Sequence, residues 1–100
     1  MQLRSEIFEW LHKELTRPFI LEAWIFGSFA KPDARHSDVD VYVKYCKKYS
    51  ISIIPYRRKL EIAFSKKFGV PLHLLVLNEI ESAEEDSFLR KALFLASRVV

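Results

Sequence analysis

The sequence predicts a small α/β domain in which helices and strands alternate around one sheet. Segments with apolar residues at helical spacing alternate with segments that are continuously apolar or apolar at every second position. Prolines or glycines lie at several of the boundaries between them. With 100 residues, half of them apolar, the chain can build one core but not two. We therefore expect a single domain spanning residues 1–100, with the order helix, strand, short turn, strand, helix, strand, helix.

The first helix is predicted by apolar residues at every fourth position: Leu3, Ile7, Leu11 and Leu15. Ser5 can cap this helix if it begins there, and Pro18 ends it. The first strand, Phe19 to Phe26, is apolar apart from Glu22, which is typical of a strand covered on both faces. The second strand, Asp38 to Tyr45, alternates polar and apolar residues and is therefore expected to have one buried face.

The second half of the chain predicts a helix, a strand and a last helix. Pro55 suits the first position of the second helix, and Gly69 suits its end. The third strand is expected from Val70 to Leu77, and the segment Ser82 to Glu85 has the spacing of a capping box that opens the last helix. The expected core stripe of that helix consists of Phe88, Leu89, Ala92, Leu93, Ala96 and Val99.

Composition limits the classes of function. The net charge is only +3, but residues 44–68 hold eight basic residues against one acid, and residues 79–86 hold five acids and no base. We interpret these blocks as solvated faces, with phosphate or nucleic-acid contact as the alternative. A single cysteine excludes an internal disulfide and a cysteine-based zinc site. Without a long apolar run or a cleavable signal region, we expect a soluble, cytoplasmic protein.

Asp38 and Asp40 are the first candidates for chemistry. Residues two apart on a strand point to the same face, so both carboxylates can converge on one point. Their mutual repulsion favours a bound cation, and hard oxygen donors suit Mg²⁺. The alternative is an ordinary solvent-exposed strand face.

Gly27 and Ser28 are the second candidates. A strand that runs into a glycine turn presents free backbone N–H groups and a serine hydroxyl to an anion such as a phosphate. The alternative is a simple turn in which the serine caps a short helix. Taken together with Asp38 and Asp40, the pair describes a site for phosphoryl or nucleotidyl transfer, which depends mainly on positioning and charge neutralisation.

The order Phe26-Gly27-Ser28, nine residues, then Asp38-Val39-Asp40-Val41 resembles the pattern of the minimal nucleotidyltransferases of the DNA polymerase β superfamily. The resemblance implies a small mixed sheet of three to four strands with helices mainly on one face. It further implies Mg²⁺ at Asp38 and Asp40, a nucleoside triphosphate, with ATP expected, held by Gly27 and Ser28, and transfer of the nucleoside monophosphate to a hydroxyl acceptor. Basic residues between Arg57 and Lys67 are expected to face that acceptor.

The chain also departs from the family pattern. Phe29 and Pro32 stand where many relatives have arginine and glycine, and no carboxylate is present around Leu72-His73-Leu74, where active members often carry a third one. His73 can act as a base or a metal ligand there, or be a packed strand residue. Glu79 and Glu81 can replace the missing carboxylate or simply cap a helix. His36 is interpreted as a loop residue.

The resemblance leaves two further functions open. Minimal members are commonly paired with a small helical toxin of the HEPN type, so the chain can be an antitoxin that binds its partner with little or no catalysis. A partner surface is then expected to include exposed aromatic residues, for which the candidates are Trp10, Tyr45, Tyr49 and Tyr56. A homo-oligomer is also open, whereas direct nucleic-acid binding has no accompanying motif.

Overall fold

A computed structural model describes residues 2–27, 38–94 and 96–100 of the chain. Ten residues between the first two strands therefore lie outside the described part, together with Met1 and Leu95. The elements are α1 (Gln2–Leu15), β1 (Ile20–Phe26), β2 (Val39–Tyr45), a 3-10 helix (Lys47–Tyr49), α2 (Ser50–Phe68), β3 (Leu72–Asn78), α3 (Glu79–Glu84), α4 (Asp86–Ala92) and β4 (Ser97–Arg98). The predicted order is confirmed up to β3.

The strands form one mixed sheet with the order β3-β2-β1-β4. The strand β1 is antiparallel to both of its neighbours, whereas β2 and β3 are parallel. The parallel pair is connected through α2, since parallel strands need a crossover rather than a hairpin. The mixed four-stranded sheet confirms the expected fold class.

The main core lies on the sheet face that carries the valines of β2. Val39, Val41 and Val43 are almost completely buried there, as the period-two pattern predicts. The long helices α1 and α2 contribute six further core side chains, which are Ile7, Leu11, Leu15, Ile53, Leu60 and Phe64. The two long helices therefore supply the main hydrophobic cover, in keeping with helices mainly on one face.

The short helices α3 and α4 cover one end of the opposite face. The Tyr42 hydroxyl, on β2, is hydrogen bonded to Ser82 Oγ of α3 at 2.6 Å. Both residues are buried, so this pair fixes the helices above the sheet. At the other end of the same face Asp38 and Asp40 are only half-buried.

The beginnings of two helices differ from the prediction. The helix α1 starts before Ser5, which therefore lies inside it. The helix α2 starts at Ser50, so Pro55 lies in its second turn rather than at its first position. Proline there removes one N–H bond to the carbonyl of Ile51, and because Ile51 is 94% exposed, water can satisfy that carbonyl. The predicted end at Gly69 is confirmed by its left-handed backbone.

Among the predicted elements, the last helix differs most from the structure. Asn78 rather than Ser82 provides the capping box, accepting hydrogen bonds from Ile80 N and Glu81 N while Glu81 Oε1 accepts from Asn78 N. Ser82 is turned inward to Tyr42, which removes it from a capping role. The helix ends at Ala92, so Val99 is buried beside β1 through main-chain bonds to Ala23 rather than on a helical stripe.

The first strand is covered on one face only. Its buried residues alternate with partly or fully exposed ones, and Leu21 is 45% exposed. A register shift between Ile20 and Glu22 lies at this point of the β1–β2 pair. The prediction of cover on both faces is therefore wrong, because α3 and α4 are too short to extend over the whole strand. None of the helices in the described ranges is long and apolar enough to cross a membrane.

Candidate active site

The sheet register brings the two candidate motifs together. Phe26, at the end of β1, lies opposite Asp40 of β2. Gly27 follows Phe26 directly, with a positive φ of 72° that favours glycine. A Cβ atom at Gly27 would lie 2.7 Å from Asp40 Oδ2. Glycine is therefore required both by the backbone conformation and by the approach of the carboxylate.

His73 completes the described part of the site. It lies opposite Asp40 in the parallel register of β2 and β3. Its Nε2 atom is 3.3 Å from Asp38 Oδ2. His73 therefore neighbours Asp40 through the strand register and Asp38 through its imidazole. The side chain is 61% exposed, which excludes the packed strand residue as its role. The structure thus places a histidine beside both aspartates on one accessible sheet face.

The carboxylate of Asp40 is destabilised in its ionised form. Burial raises the pKa of Asp40 above its ordinary value, and the nearby Asp38 carboxylate raises this pKa further, while His73 lowers it. The two carboxylates lie on one face, where the ionised form of Asp40 is disfavoured. A bound cation would therefore stabilise the pair. The donor set is therefore chemically suited to a divalent metal ion.

The protein supplies only part of a coordination shell. Within the ranges that the structure describes, no group of three or more His, Cys, Asp or Glu side chains is arranged to hold a metal ion. Two carboxylates are nevertheless a sufficient protein contribution for Mg²⁺, which usually keeps waters and takes further oxygens from substrate phosphates. Asp38 and Asp40 fit that kind of site.

Ser28 and His36 lie outside the described residues, and so do Phe29 and Pro32. The role of Ser28 in phosphate binding therefore stays a prediction. Of the predicted nucleotide-binding pair, only Gly27 can be placed, and it lies against Asp40.

Glu79 and Glu81 do not replace a third carboxylate. Glu81 belongs to the capping box of α3, and Glu79 Oε1 accepts a hydrogen bond from Lys47 N at 2.6 Å. Hydrogen bonds from its own main-chain N–H and from that of Lys47 lower the pKa of Glu79. Both glutamates follow Asn78, at the opposite end of β3 from His73. Helix capping thus explains Glu81, and a loop contact explains Glu79.

The basic residues of α2 are not directed to the aspartates. The buried side of this helix packs into the core on the valine face of the sheet, whereas Asp40 alternates with those valines and faces the other way. The structure does not place an acceptor, so the expectation that residues between Arg57 and Lys67 face it stays a prediction. One carboxylate of this helix, Glu61, instead accepts a hydrogen bond from Leu74 N of β3.

A cleft of about 420 Å³, which the sequence patterns did not predict, lies between the sheet and the helices α3 and α4. It lies on the aspartate face, further along β2, and its lining includes Tyr42, Lys44 and Glu22. Lys44 and Glu22 form an ion pair across β2 and β1, with Nζ and Oε2 3.7 Å apart. The alternation that predicts the face of Asp38 and Asp40 also places Tyr42 and Lys44 there.

Comparison with known proteins gives one family and one fold. The family model described as "Polymerase beta, Nucleotidyltransferase" matches residues 9–98. A proposed nucleotidyltransferase from Sulfolobus solfataricus, known from a crystal structure, is similar with a TM-score of 0.50 and 18% sequence identity. The match covers 83% of this chain and 77% of that one. No curated protein matches the chain.

Proposed function

Because the chain belongs to the polymerase beta nucleotidyltransferase family, we propose that it transfers a nucleoside monophosphate, AMP in the first instance, from a nucleoside triphosphate to a hydroxyl acceptor. The observation that carries the proposal is the contact between Gly27 and Asp40, with Asp38 and His73 beside them. This arrangement joins a turn suited to phosphate with a carboxylate pair suited to Mg²⁺.

Each residue has a defined part in the proposal. Asp38 and Asp40 would hold Mg²⁺, which when bound supplies charge neutralisation for the phosphates. Gly27 allows the main chain to approach the carboxylate, and together with Ser28 it would hold the β- and γ-phosphates. The accessible imidazole of His73 is positioned to accept the proton of the acceptor hydroxyl.

The proposed reaction forms one bond at the α-phosphorus and breaks another. The acceptor oxygen forms a bond to the α-phosphorus, and the bond from that phosphorus to the bridging α–β oxygen breaks. Pyrophosphate leaves with the electron pair of the broken bond. The proton of the acceptor hydroxyl goes to His73 and from there to solvent.

The experiment that tests transfer uses ATP labelled at the α-phosphate. The protein is incubated with labelled ATP, Mg²⁺ and candidate acceptors, and incorporation of label is compared with that obtained from ATP labelled at the γ-phosphate. The proposal expects label from the α-phosphate only, together with release of pyrophosphate. Transfer of the γ-label instead would identify a kinase and contradict the proposal.

A second function is favoured by the identity of residue 73. In the described part of the chain no third carboxylate accompanies Asp38 and Asp40, and His73 occupies the position opposite Asp40. If the imidazole of His73 does not replace a carboxylate as the base, the rate would be lower by the ~10²–10⁴-fold that is typical for loss of a positioned base. The alternative function is therefore an antitoxin-like module that binds nucleotide but acts mainly by binding a HEPN-type toxin or another small protein.

Both functions can be separated by one addition to the labelling experiment. The lone chain is expected to transfer AMP slowly to small alcohols and sugars. Addition of the product of a neighbouring gene tests whether a protein acceptor completes the site. Labelling of that protein would support transfer to a partner, whereas tight binding without labelling would support the antitoxin-like module.

A further inference from the structure

The aromatic residues expected on a partner surface are buried or half-buried. Tyr45 is buried, Trp10 packs edge-on against Phe64, and both Tyr49 and Tyr56 pack against Phe19. The exposed large apolar residues of the described ranges are mainly aliphatic and lie elsewhere. Two groups of them lie on helices. One group has basic neighbours, and the other has acidic neighbours.

The first group lies along the outer side of α2. Ile51, Ile54 and Ile62 are 94%, 69% and 52% exposed. At about 100° per residue, Ile51, Arg58 and Ile62 fall within a narrow stripe opposite the buried Leu60. Lys66 continues this stripe by one further turn. We call Ile51, Ile54, Arg58, Ile62 and Lys66 the basic surface.

The basic surface is uneven, because a groove lies on each side of this stripe. One groove of about 480 Å³ is lined by residues that include Pro55, Lys59 and Lys66. Another of about 460 Å³ is lined by residues that include Ser65 and Pro71. Arg58 and Ile62 line both, so they form a ridge between two depressions. Such relief suits the side chains of a second helix.

The second group lies on the outer side of α3 and the start of α4. Ile80 and Glu84 are one turn apart, on the side of α3 opposite the buried Ser82. Phe88 follows at the same spacing, and Ile80 and Phe88 are 48% and 50% exposed. Glu85 lies between the two helices and is also exposed. We call Ile80, Glu84, Glu85 and Phe88 the acidic surface.

The charges of these two surfaces are available for intermolecular contact. Asp86 is paired with Arg90, but among the described residues Glu84 and Glu85 make no ion pair. Arg58 and Lys66 likewise have no acidic partner within those ranges. Burying apolar side chains inside a ring of complementary charges is the usual composition of a specific interface.

We propose that the basic surface of one copy of this protein binds the acidic surface of a second copy. The basic surface lies on the valine face of the sheet, and the acidic surface lies on the aspartate face. One copy cannot bring its own two surfaces together, so the contact is between molecules and runs head to tail. A symmetric contact between two α2 helices is disfavoured because it places Arg58 and Lys66 next to the same charges of the partner.

This geometry has a consequence that distinguishes it from a closed symmetric dimer. Each copy that uses its basic surface leaves its acidic surface free, so the assembly grows beyond two copies unless a ring closes. Because the attraction is partly electrostatic, it weakens as salt shortens the screening length. The proposal does not depend on the catalytic function of the protein.

The test uses sedimentation velocity over a range of protein concentrations at low salt. The wild type is expected to form larger species as its concentration rises, and to dissociate at about 1 M salt. Two variants each remove one surface: Arg58→Gln with Ile62→Gln, and Ile80→Gln with Glu84→Gln. Each variant alone is expected to remain monomeric where the wild type associates. The matched control, Glu9→Gln with Lys13→Gln on the exposed side of α1, is expected to behave like the wild type.

The decisive sample is an equal mixture of the two variants. One variant keeps the acidic surface and the other keeps the basic surface, so the mixture contains one intact contact and is expected to form a dimer that grows no further. A wild type that stays monomeric would overturn the proposal, even if α2 bound an acidic helix of another protein. A variant mixture without dimers would also overturn it, since a symmetric contact would then explain any wild-type association.

Discussion

A Cβ atom at Gly27 would lie 2.7 Å from the Oδ2 atom of Asp40. This distance is shorter than any normal contact between a side-chain carbon and an oxygen, so a side chain at position 27 would force the Asp40 carboxylate to shift. The strand register that brings them together is that of β1 and β2, in which Phe26 lies opposite Asp40. The turn at Gly27 and the strand β2 are thus expected to act as one unit in the proposed site.

Gly27→Ala is expected to abolish Mg²⁺-dependent ATP binding by displacing the Asp40 carboxylate. The matched control is Gly69→Ala, because Gly69 has nearly the same φ, 73°, but no atom within 4 Å of its Cβ position. Both variants should lose roughly 1–2 kcal/mol of stability from the left-handed backbone. Chemical denaturation measures that loss, and calorimetry measures binding. If both variants bound ATP equally well, the contact would have no functional role.

Asp40→Asn is expected to remove Mg²⁺-dependent nucleotide binding while leaving the fold intact. Without metal the free energy of unfolding should be unchanged or slightly larger, because the substitution removes a like charge beside Asp38. Thermal unfolding with and without Mg²⁺ measures both effects. Asp86→Asn, which breaks only an exposed pair on α4, is the control. Unfolding of the Asp40→Asn protein would show a structural role for this carboxylate.

His73→Asp is expected to tighten Mg²⁺ binding and to increase the rate of AMP transfer, because it places a third carboxylate beside Asp40. The same variant should be less stable than the wild type without metal, since three like charges then share one face. His73→Asn adds no charge and serves as the control. Titration calorimetry with Mg²⁺ alone gives a readout that is independent of turnover. Equal Mg²⁺ affinity in both variants would contradict the proposed arrangement.

Tyr56→Phe is expected to reduce the loss of stability at alkaline pH. Burial raises the pKa of Tyr56 above 10.0, with Arg17 opposing that shift. Its hydroxyl donates to the Glu14 carbonyl. Because the folded-state pKa is raised, the neutral Tyr56 hydroxyl contributes fully to stability below about pH 10. This contribution is lost as pH rises through the folded-state pKa. The variant should be about 1 kcal/mol less stable at pH 7, with a shallower decline above pH 10. An unchanged alkaline slope in urea denaturation would contradict this reading.

The second strand shows what the sequence could predict. Its alternation fixed which residues share a face, because the side-chain period of a strand is independent of its neighbours. It did not predict that Tyr42, on the face of the aspartates, is buried as well. The nearness of Gly27 to Asp40 follows from the antiparallel pairing of β1 and β2, and the short motif spacing indicated it. The sharing of one face by Asp38 and Asp40 needed no tertiary information.

The last third of the chain shows what the sequence could not predict. Ser82 and Asn78 both have capping residues at suitable spacing after them, and the choice between them depends on the buried bond from Ser82 to Tyr42. Similarly, His73 is exposed at the start of β3, whereas α3 begins at the opposite end of that strand. Both outcomes depend on contacts between residues that are distant in sequence. Local secondary-structure propensity is insensitive to such contacts.

We propose that Asp38, Asp40 and the turn at Gly27 form a metal-dependent nucleotide site. Titration calorimetry of the purified protein with ATP, with and without Mg²⁺, is the decisive test. We expect binding of one ATP per chain in the presence of Mg²⁺, and loss of that binding both without Mg²⁺ and in Asp40→Asn. No binding to the wild type, or the same affinity in Asp40→Asn, would contradict it.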